Sequence, residues 1–258
     1  MLTKNTIKYI KSLSAKKFRE IHGSFIAEGP KIISDIAGST LKIEKLFATQ
    51  LWLDENLRLT ENIEDVTCVT SKELSGISQL TTPNNVLAIV RIPETSFSHD
   101  IATQSLVITL DDIRDPGNLG TIIRIADWFG YKHVLCSETS VDAYNPKCVQ
   151  ATMGSIARVN IYYENLPHIL SQSPATTNIF GALLSGDPIF NEQLENHGFL
   201  IIGNEANGIT PEIEKMVKKR LFIPSGNDSD SRAESLNASS ATAIICSEFF
   251  RRSYKTTK

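Results

Sequence analysis

The chain has 258 residues, 41% hydrophobic and 21% charged, which is typical of a soluble globular protein with one large or two ordinary domains. No apolar stretch approaches the roughly 20 residues that span a bilayer, and the N-terminus has no apolar signal core, so we expect a cytoplasmic protein without a membrane partner. A net charge of -3 argues against a generally polycationic nucleic-acid binder.

The cysteines and histidines give no indication of a metal site. Cys68, Cys136, Cys148 and Cys246 form no C-x-x-C pair, and no histidine stands at metal-ligand spacing from them. The five histidines are isolated from one another as well. We therefore expect reduced, mostly buried thiols and no bound metal.

The first third of the chain alternates helical and extended patterns. Apolar residues from Ile7 to Ile21 recur with helical spacing, and Gly29 followed by Pro30 is typical of a helix start. Strands are predicted at residues 24–27, 43–48, 66–69 and 86–92. These elements indicate a small α/β/α layered domain over residues 1–92. The polar stretch that follows has no period and predicts a linker over residues 93–104.

A second alternation begins after this linker. Helices are predicted at residues 118–129 and 146–153. Strands are predicted at residues 106–110, 133–136, 159–162, 179–184, 199–202 and 220–224. Strands in βαβ order predict an α/β domain over residues 105–258, built on a parallel sheet covered on both faces.

Two of these strands stop at loops rich in Gly, Asn and Ser. The run at 199–202 ends at residues 203–209, and the run at 220–224 leads to residues 234–240. Backbone groups in such loops can reach a ligand, so we expect a ligand between them. Ser235 or Asn237 can cap the helix that follows, whose first turns carry mostly small residues.

A polar loop and a helix follow the first strand of the second domain. They place Asn118 and Arg124 at the carboxyl edge of the predicted sheet, where open α/β folds bind ligands. Arg124 adjoins an apolar helix face, so it is either a surface arginine with a packed stem or a ligand for phosphate or carboxylate. The loop composition and the edge position favour the second interpretation.

Common nucleotide-binding motifs are absent from the chain. Gly117 and Gly120 do not form G-x-G-x-x-G, and no G-x-x-x-x-G-K-[ST] sequence occurs. A site for a dinucleotide or a nucleoside triphosphate is therefore not expected.

Three stretches, taken in order, resemble the motifs of the SpoU (TrmH-type) RNA ribose methyltransferases of the SPOUT superfamily. They are DPGNLGTIIRIAD at residues 115–127, IGNEANGI at 202–209, and Ile223-Pro224 followed by ESLNAS at 234–239. The resemblance extends to the first domain, at IKYIKSL (7–13), FIAEG (25–29) and PNNVLA (83–88), which look like the family's RNA-binding domain. This chain has a few more residues between Pro224 and Glu234 than the family's usual short loop.

The resemblance implies a parallel sheet whose C-terminal part forms a deep trefoil knot, and it implies a homodimer. It also implies that S-adenosyl-L-methionine is held in the knot, largely through backbone groups. The residues that correspond to its binding site are Leu183, Gly203, Asn204, Ile223, Ser235 and Leu236.

The same resemblance assigns a catalytic group of residues, namely Asn118, Arg124, Glu205, Ser235 and Asn237. A guanidinium is a poor proton acceptor, so we expect Arg124 to bind the phosphate beside the target ribose and to stabilise developing oxyanion charge. Asn118 and Glu205 are expected to set its geometry. Ser235 and Asn237 either shape the cofactor loop or only cap a helix.

A basic cluster near the N-terminus is interpreted as the RNA-facing surface of the first domain. It comprises Lys8, Lys11, Lys16, Lys17 and Arg19, and residues 1–19 contain no acidic residue. The alternative is a solvated helix face. The resemblance predicts ribose 2'-O-methylation of large-subunit ribosomal RNA, with transfer RNA or a catalytically inactive RNA-binding module as alternatives.

Overall fold

The computed structural model describes residues 2–227 and 234–254 of the chain. Residues 228–233, which belong to the longer loop between Pro224 and Glu234, lie outside the described residues. The chain forms two compact units. The first comprises the chain up to Glu94 and the segment Asp142–Arg158, and the second comprises Thr95–Val141 and the residues from Val159 onward.

The first unit is built on a four-stranded mixed sheet. Its elements up to Glu94 are α1 Lys4–Ser12, α2 Lys16–His22, β1 Ser24–Glu28, α3 Pro30–Ala37, β2 Ile43–Ala48, α4 Gln50–Glu55, α5 Leu57–Thr60, β3 Val66–Cys68, α6 Ser71–Ile77 and β4 Val86–Arg91. The strand order is β1-β4-β2-β3, with β4 antiparallel to both neighbours and β3 parallel to β2. The four strands predicted for this region are confirmed.

Helices cover this sheet. Ile10 of α1 and Leu74 of α6 share a buried cluster with Ile26 and Leu87 of the sheet. α3 begins at Pro30, as predicted, and packs its buried apolar side chains against β1 and β4. The amphipathic spacing of these helices therefore gives the first unit its core.

The second unit is built on six parallel strands. Its elements are α7 His99–Gln104, β5 Leu106–Leu110, α8 Pro116–Trp128, β6 His133–Ser137, β7 Asn160–Glu164, α10 Leu166–Gln172, β8 Ile179–Pro188, β9 Gly198–Ile202, α11 Pro211–Glu214, β10 Lys219–Phe222 and α12 Ala238–Ser253, while α9 Pro146–Ala151 belongs to the segment in the first unit. The strand order is β10-β8-β9-β5-β6-β7, and every pairing is parallel. The predicted parallel sheet is confirmed.

The central strands explain why the sequence showed continuous apolar runs. Every residue of β5 and β9 is buried, as expected of strands covered on both faces. β8 is longer than predicted, and its ladder with β10 skips residues 182–186, since Arg220 pairs with Gly181 while Leu221 pairs with Asp187. Leu183 lies in this skipped stretch.

Two features differ from the expected domain layout. The expected linker 93–104 contains α7, which Ser98 caps through its side chain. The helix predicted at 146–153 lies in the first unit, although it falls between two strands of the second. Residue order alone did not indicate that a segment of the later alternation folds onto the earlier sheet.

A buried ion pair ties this segment to the start of the chain. Arg19 is 2% exposed, and its Nε and Nη2 donate to Oδ2 of Asp142 at 2.8 and 2.6 Å. Its Nη1 also donates to the carbonyls of Leu13 and Ser14, both at 2.8 Å. The expectation that Arg19 belongs to an RNA-facing surface is therefore wrong, because its donors are directed to protein acceptors.

The remaining basic residues of that cluster are exposed. Lys8 and Lys11 lie on α1, and Lys16 and Lys17 lie on α2. Lys16 has an acidic neighbour after all, because its Nζ lies 3.8 Å from Oε1 of Glu20. In the described part of the chain, no helix is both long and apolar enough to cross a membrane. No group of three or more His, Cys, Asp or Glu side chains among these residues could hold a metal ion.

Candidate active site

The site lies at the carboxyl ends of adjacent strands in the second unit. β5 and β9 end side by side, with Leu110 paired to Ile202. The chain continues from β5 into residues 111–115 and α8, and from β9 into residues 203–210. Loops that leave neighbouring parallel strands meet at one edge of the sheet, which is where ligands bind in open α/β folds.

Asn118 connects two distant parts of the chain at this edge. Its Nδ2 donates to Oε1 of Glu205 at 2.5 Å, and its Oδ1 accepts from Nδ2 of Asn237 at 3.0 Å. Asp115 caps α8 by accepting from the backbone N–H of Asn118 at 2.8 Å, which fixes the helix start. The structure thus brings together three of the five residues expected in the catalytic group.

Asn237 has two structural functions. Its Oδ1 accepts from the backbone N–H groups of Ser239 and Ser240 at 2.9 and 3.3 Å, so it caps α12. Its Nδ2 is the donor to Asn118. The capping interpretation of Asn237 is therefore confirmed, and its expected function at the cofactor loop stays a prediction. Ser235 is exposed and forms no hydrogen bond with the described residues, so the capping function belongs to Asn237.

Arg124 lies on α8 but does not contact this hydrogen-bonded group. It is exposed, and among the described residues it has no hydrogen-bond or ion-pair partner. Six residues separate it from Asn118, which on an α-helix places the two side chains roughly 120° apart around the axis. The expectation that Asn118 and Glu205 set the geometry of Arg124 is therefore wrong for the isolated chain.

The loop after β9 is held by its own side chains. Asn204 is 9% exposed, and its Oδ1 accepts from the backbone N–H groups of Ala206 and Asn207 at 2.9 and 3.1 Å. Its Nδ2 donates to the carbonyl of Asp112 at 2.8 Å, which links this loop to the one after β5. The side chain of Asn204 therefore holds the loop together, and its expected contact with the cofactor stays a prediction.

Gly203 is required by close backbone packing. A Cβ at this position would lie 2.2 Å from the carbonyl carbon of Gly208 and 2.3 Å from the backbone nitrogen of Ile209. The loop therefore folds back on itself as no other residue type would allow.

Asp111 is a further acidic residue at this edge, and no sequence motif singled it out. It is 3% exposed, and its Oδ2 accepts from the backbone N–H of Thr210 at 2.7 Å. Burial raises the pKa of its carboxyl group. The next residue, Asp112, has a φ of 57°, unusual for a residue with a side chain. Two acidic residues directly after a buried strand at the ligand edge were the available signal.

The residues expected to hold the cofactor lie along the same edge. Gly203 follows β9, Leu183 is in β8, and Ile223 follows β10, and these are three neighbouring strands. Leu236, 49% exposed, directly precedes Asn237 and is thereby held beside Asn118. Apolar side chains and a backbone that lacks a Cβ suit the flat adenine ring and the aliphatic carbons of S-adenosyl-L-methionine, so these residues fit that group.

Comparison with known proteins assigns both parts of the chain. Residues 105–247 match the model of the SpoU rRNA methylase family. The chain belongs to the SpoU family. Residues 4–88 of this SpoU family member match the MRM3-like substrate binding domain. The resemblance to the SpoU family is thereby confirmed. The first domain, expected to bind RNA, matches one named type of substrate-binding domain.

Relatives of this SpoU family member are named as rRNA methyltransferases. The 23S rRNA (guanosine(2553)-2'-O)-methyltransferase RlmP of Bacillus subtilis is 28% identical, over 93% of both chains. The mitochondrial rRNA methyltransferase 3 of Xenopus laevis is 32% identical over 69% of this chain, which spans 44% of that relative. The crystal structure of an AdoMet-bound rRNA methyltransferase from Sinorhizobium meliloti superposes with a TM-score of 0.86 at 30% identity, covering 99% of this chain and 97% of the other.

Proposed function

We propose that this protein transfers the methyl group of S-adenosyl-L-methionine to a ribose 2'-hydroxyl of large-subunit ribosomal RNA. The observation that carries the proposal is the hydrogen-bonded group of Asn118, Glu205 and Asn237 at the ligand edge of the sheet. Relatives named as 23S rRNA 2'-O-methyltransferases and an AdoMet-bound structural neighbour support it.

The cofactor would bind at the carboxyl ends of β9, β8 and β10. Leu183, Ile223 and Leu236 would supply apolar contacts, and Gly203 would allow a close approach of backbone. When bound, S-adenosyl-L-methionine supplies an electrophilic methyl carbon. The protein's own task is then to place the ribose hydroxyl in line with that carbon and to hold it there.

The hydrogen-bonded group orders the hydroxyl's surroundings. Glu205 uses Oε1 to accept from Asn118, and a carboxylate has further acceptor positions, so it can accept a hydrogen bond from the ribose hydroxyl. Arg124, without a protein partner among the described residues, binds the phosphate beside that ribose and stabilises the charge that develops on the oxygen.

A second copy of the chain is part of the proposal. Trp128 is 83% exposed at the end of α8. Phe250 of α12 and Tyr254, directly after α12, are 39% and 61% exposed, with their ring centroids 5.3 Å apart. Exposed aromatic side chains on two adjacent helices indicate a surface that another protein covers. Arg124 lies one helical turn before Trp128, so a homodimer formed through this face would direct Arg124 toward the partner copy.

The trefoil knot is likewise proposed. β10 lies at one edge of the sheet, two strands away from β9 and three from β5. After β10 the chain must return across β8 and β9, because Asn237 hydrogen-bonds with Asn118 beyond the end of β5. A return across these strands supports a C-terminal knot.

The domain layout remains a proposal as well, with residues 1–92 as the RNA-binding domain, 93–104 as a connection and 105–258 as the catalytic domain. The substrate-domain match at residues 4–88 and the exposed lysines of α1 and α2 support it. A cytoplasmic location stays a prediction.

The decisive experiment maps ribose methylation in rRNA from cells with and without this protein. One 2'-O-methyl group in large-subunit rRNA should disappear without it and should return when purified protein and S-adenosyl-L-methionine are added to the unmodified RNA. Loss of a methyl group from tRNA instead would favour the tRNA alternative. Unchanged RNA together with no thermal stabilisation by S-adenosylhomocysteine would identify an inactive RNA-binding module.

A further inference from the structure

A cavity of about 380 Å³ opens in the first unit, within the size range of small-ligand sites. It lies between the end of β1, the turn after α6, and α9 of the segment Asp142–Arg158. Ile26, Leu80 and Val149 form apolar walls. None of its lining residues belongs to the active site described above.

The cavity contains a buried acid. Glu28 is 4% exposed and lines the cavity. It accepts hydrogen bonds from the Ser78 hydroxyl at 2.5 Å and from the backbone N–H of Gln79 at 2.7 Å. Burial raises the pKa of its carboxyl group, and among the described residues no cation pairs with it.

The two hydrogen bonds leave part of this acid unused. A carboxylate offers about four acceptor positions, and two of them are occupied by Ser78 and Gln79. A buried acid that forms no ion pair costs stability, so a ligand that donates hydrogen bonds to Glu28 would be favoured there. Lys147 lines the cavity as well.

We propose that this cavity holds the Watson–Crick edge of an unpaired guanine in the RNA substrate, with Glu28 as the acceptor. The inference rests on the proposed function for its RNA ligand. Guanine presents two adjacent donors, N1–H and the 2-amino group, which match the two oxygens of a carboxylate. Adenine, cytosine and uracil have no two adjacent donors on this edge, so one of their acceptors would face the acid.

The apolar walls complete the match. Leu80 and Val149 supply surfaces against which the faces of a planar base can pack. Proteins read single-stranded RNA in this manner, by accepting splayed bases into pockets and hydrogen-bonding their edges. The cavity exists only because α9 joins the first unit, so the substrate-binding domain alone would lack one of its walls.

The test uses 12-nucleotide oligouridine RNAs that carry one central guanine, cytosine or adenine, with the full-length protein. Wild type should bind the guanine RNA about tenfold more tightly than the adenine RNA, the discrimination expected of one bidentate base contact. Glu28→Gln presents a donor beside an acceptor and should remove this preference. Glu20→Gln, an exposed acid outside the cavity, is the matched control and should keep it.

A second variant leaves the acid untouched. Ala151 lines the cavity from α9, and Ala151→Leu should fill space and weaken binding of the guanine RNA to the level of the adenine RNA. If Glu28→Gln does not fold, the Ala151→Leu variant tests the proposal by itself. Equal binding of the guanine and adenine RNAs by wild type, or a preserved guanine preference in both variants, would overturn the proposal.

The outcome is separable from that of the proposed function. Methyl transfer to rRNA without any guanine preference would contradict the cavity proposal and support the proposed enzymatic function. A guanine preference without S-adenosyl-L-methionine binding or methyl transfer would contradict the proposed enzymatic function and support the cavity proposal.

Discussion

Asn237 and Asn118 are 119 positions apart in the chain, and their side-chain amides are joined by a hydrogen bond of 3.0 Å. One residue caps the last helix, and the other lies in the first turn of α8. The bond therefore fixes the start of the C-terminal helix at the ligand edge of the sheet. The function in catalysis that we propose for this bond can be separated by mutation from its function in folding.

Two substitutions of Asn237 make that separation. Asn237→Ser keeps an oxygen that can cap α12 but is too short to reach Asn118, whereas Asn237→Ala removes both contacts. We expect Asn237→Ser to keep its melting temperature and to lose methyl transfer. Asn237→Ala should lose methyl transfer and also about 1 kcal/mol of stability, the usual value of an N-cap. Thermal denaturation and single-turnover methylation measure the two effects, and full activity of Asn237→Ser would show that the bond to Asn118 is dispensable.

Arg124 should matter for chemistry and not for stability. The side chain is exposed and has no partner among the described residues, so Arg124→Ala should change the free energy of unfolding by less than about 0.5 kcal/mol. Methyl transfer should fall about 100-fold or more, as when one transition-state hydrogen-bond donor is removed. The dissociation constant for S-adenosyl-L-methionine, measured by calorimetry, should stay the same.

A conservative variant refines this prediction. Arg124→Lys retains the charge but loses the two-pronged contact to phosphate, so its activity should lie between those of wild type and Arg124→Ala. Equal losses of cofactor affinity and methyl transfer in Arg124→Ala would place Arg124 in the cofactor site and contradict its assignment to the RNA phosphate.

The basic residues near the N-terminus should divide into two classes. Lys8→Glu with Lys11→Glu changes two exposed charges on α1, so RNA affinity should fall and its dependence on salt should flatten by about two units of slope. Stability should not change. Lys132→Glu, an exposed lysine at the amino end of β6, serves as the control. Filter binding across a salt series checks this, and an unchanged slope would restore the interpretation of a merely solvated helix face.

Arg19 belongs to the other class. Removing one partner of a buried ion pair leaves the other charge uncompensated, so Arg19→Ala should destabilise the protein by about 3–5 kcal/mol. The cause is loss of the contact with Asp142, which attaches the segment Asp142–Arg158 to the first unit. Urea denaturation measures the loss. A stable Arg19→Ala variant with weakened RNA binding would return Arg19 to the RNA-facing surface.

The sequence indicated those parts of the structure that depend on local patterns. Residues 106–110 were predictable as a strand because full burial of their side chains requires a mostly apolar run. Asn118 and Glu205 were predictable as site residues because they follow strand ends. Contacts between distant residues were beyond such patterns. Arg19 looked like a surface cation because its acid is 123 positions away, and the cavity at Glu28 needs a helix from a segment assigned to the other domain.

The end of the C-terminal helix should make stability depend on acid pH. Glu248 is buried at 6% exposure and accepts from Nε and Nη2 of Arg251 at 2.8 and 2.9 Å and from Nε of Arg252 at 2.7 Å. Arg252 also donates to the carbonyls of Ile189 and Phe190, which ties the helix to the turn after β8. Hydrogen bonds from Arg251 first, and then from Arg252, lower the pKa of Glu248 from 4.5 to about 2.

Since the folded protein holds Glu248 at a lower pKa than the unfolded chain, this contribution to stability is fully present above pH 4.5 and is lost as the pH falls toward 2. Glu248→Gln should therefore melt below wild type at pH 7, and the two melting temperatures should converge as the pH is lowered. Glu212→Gln, at an exposed acid on α11, should track wild type throughout. Melting curves taken from pH 7 to the acid limit of folding test this, and a constant gap between wild type and Glu248→Gln would show that packing, and not the charge of Glu248, anchors the helix.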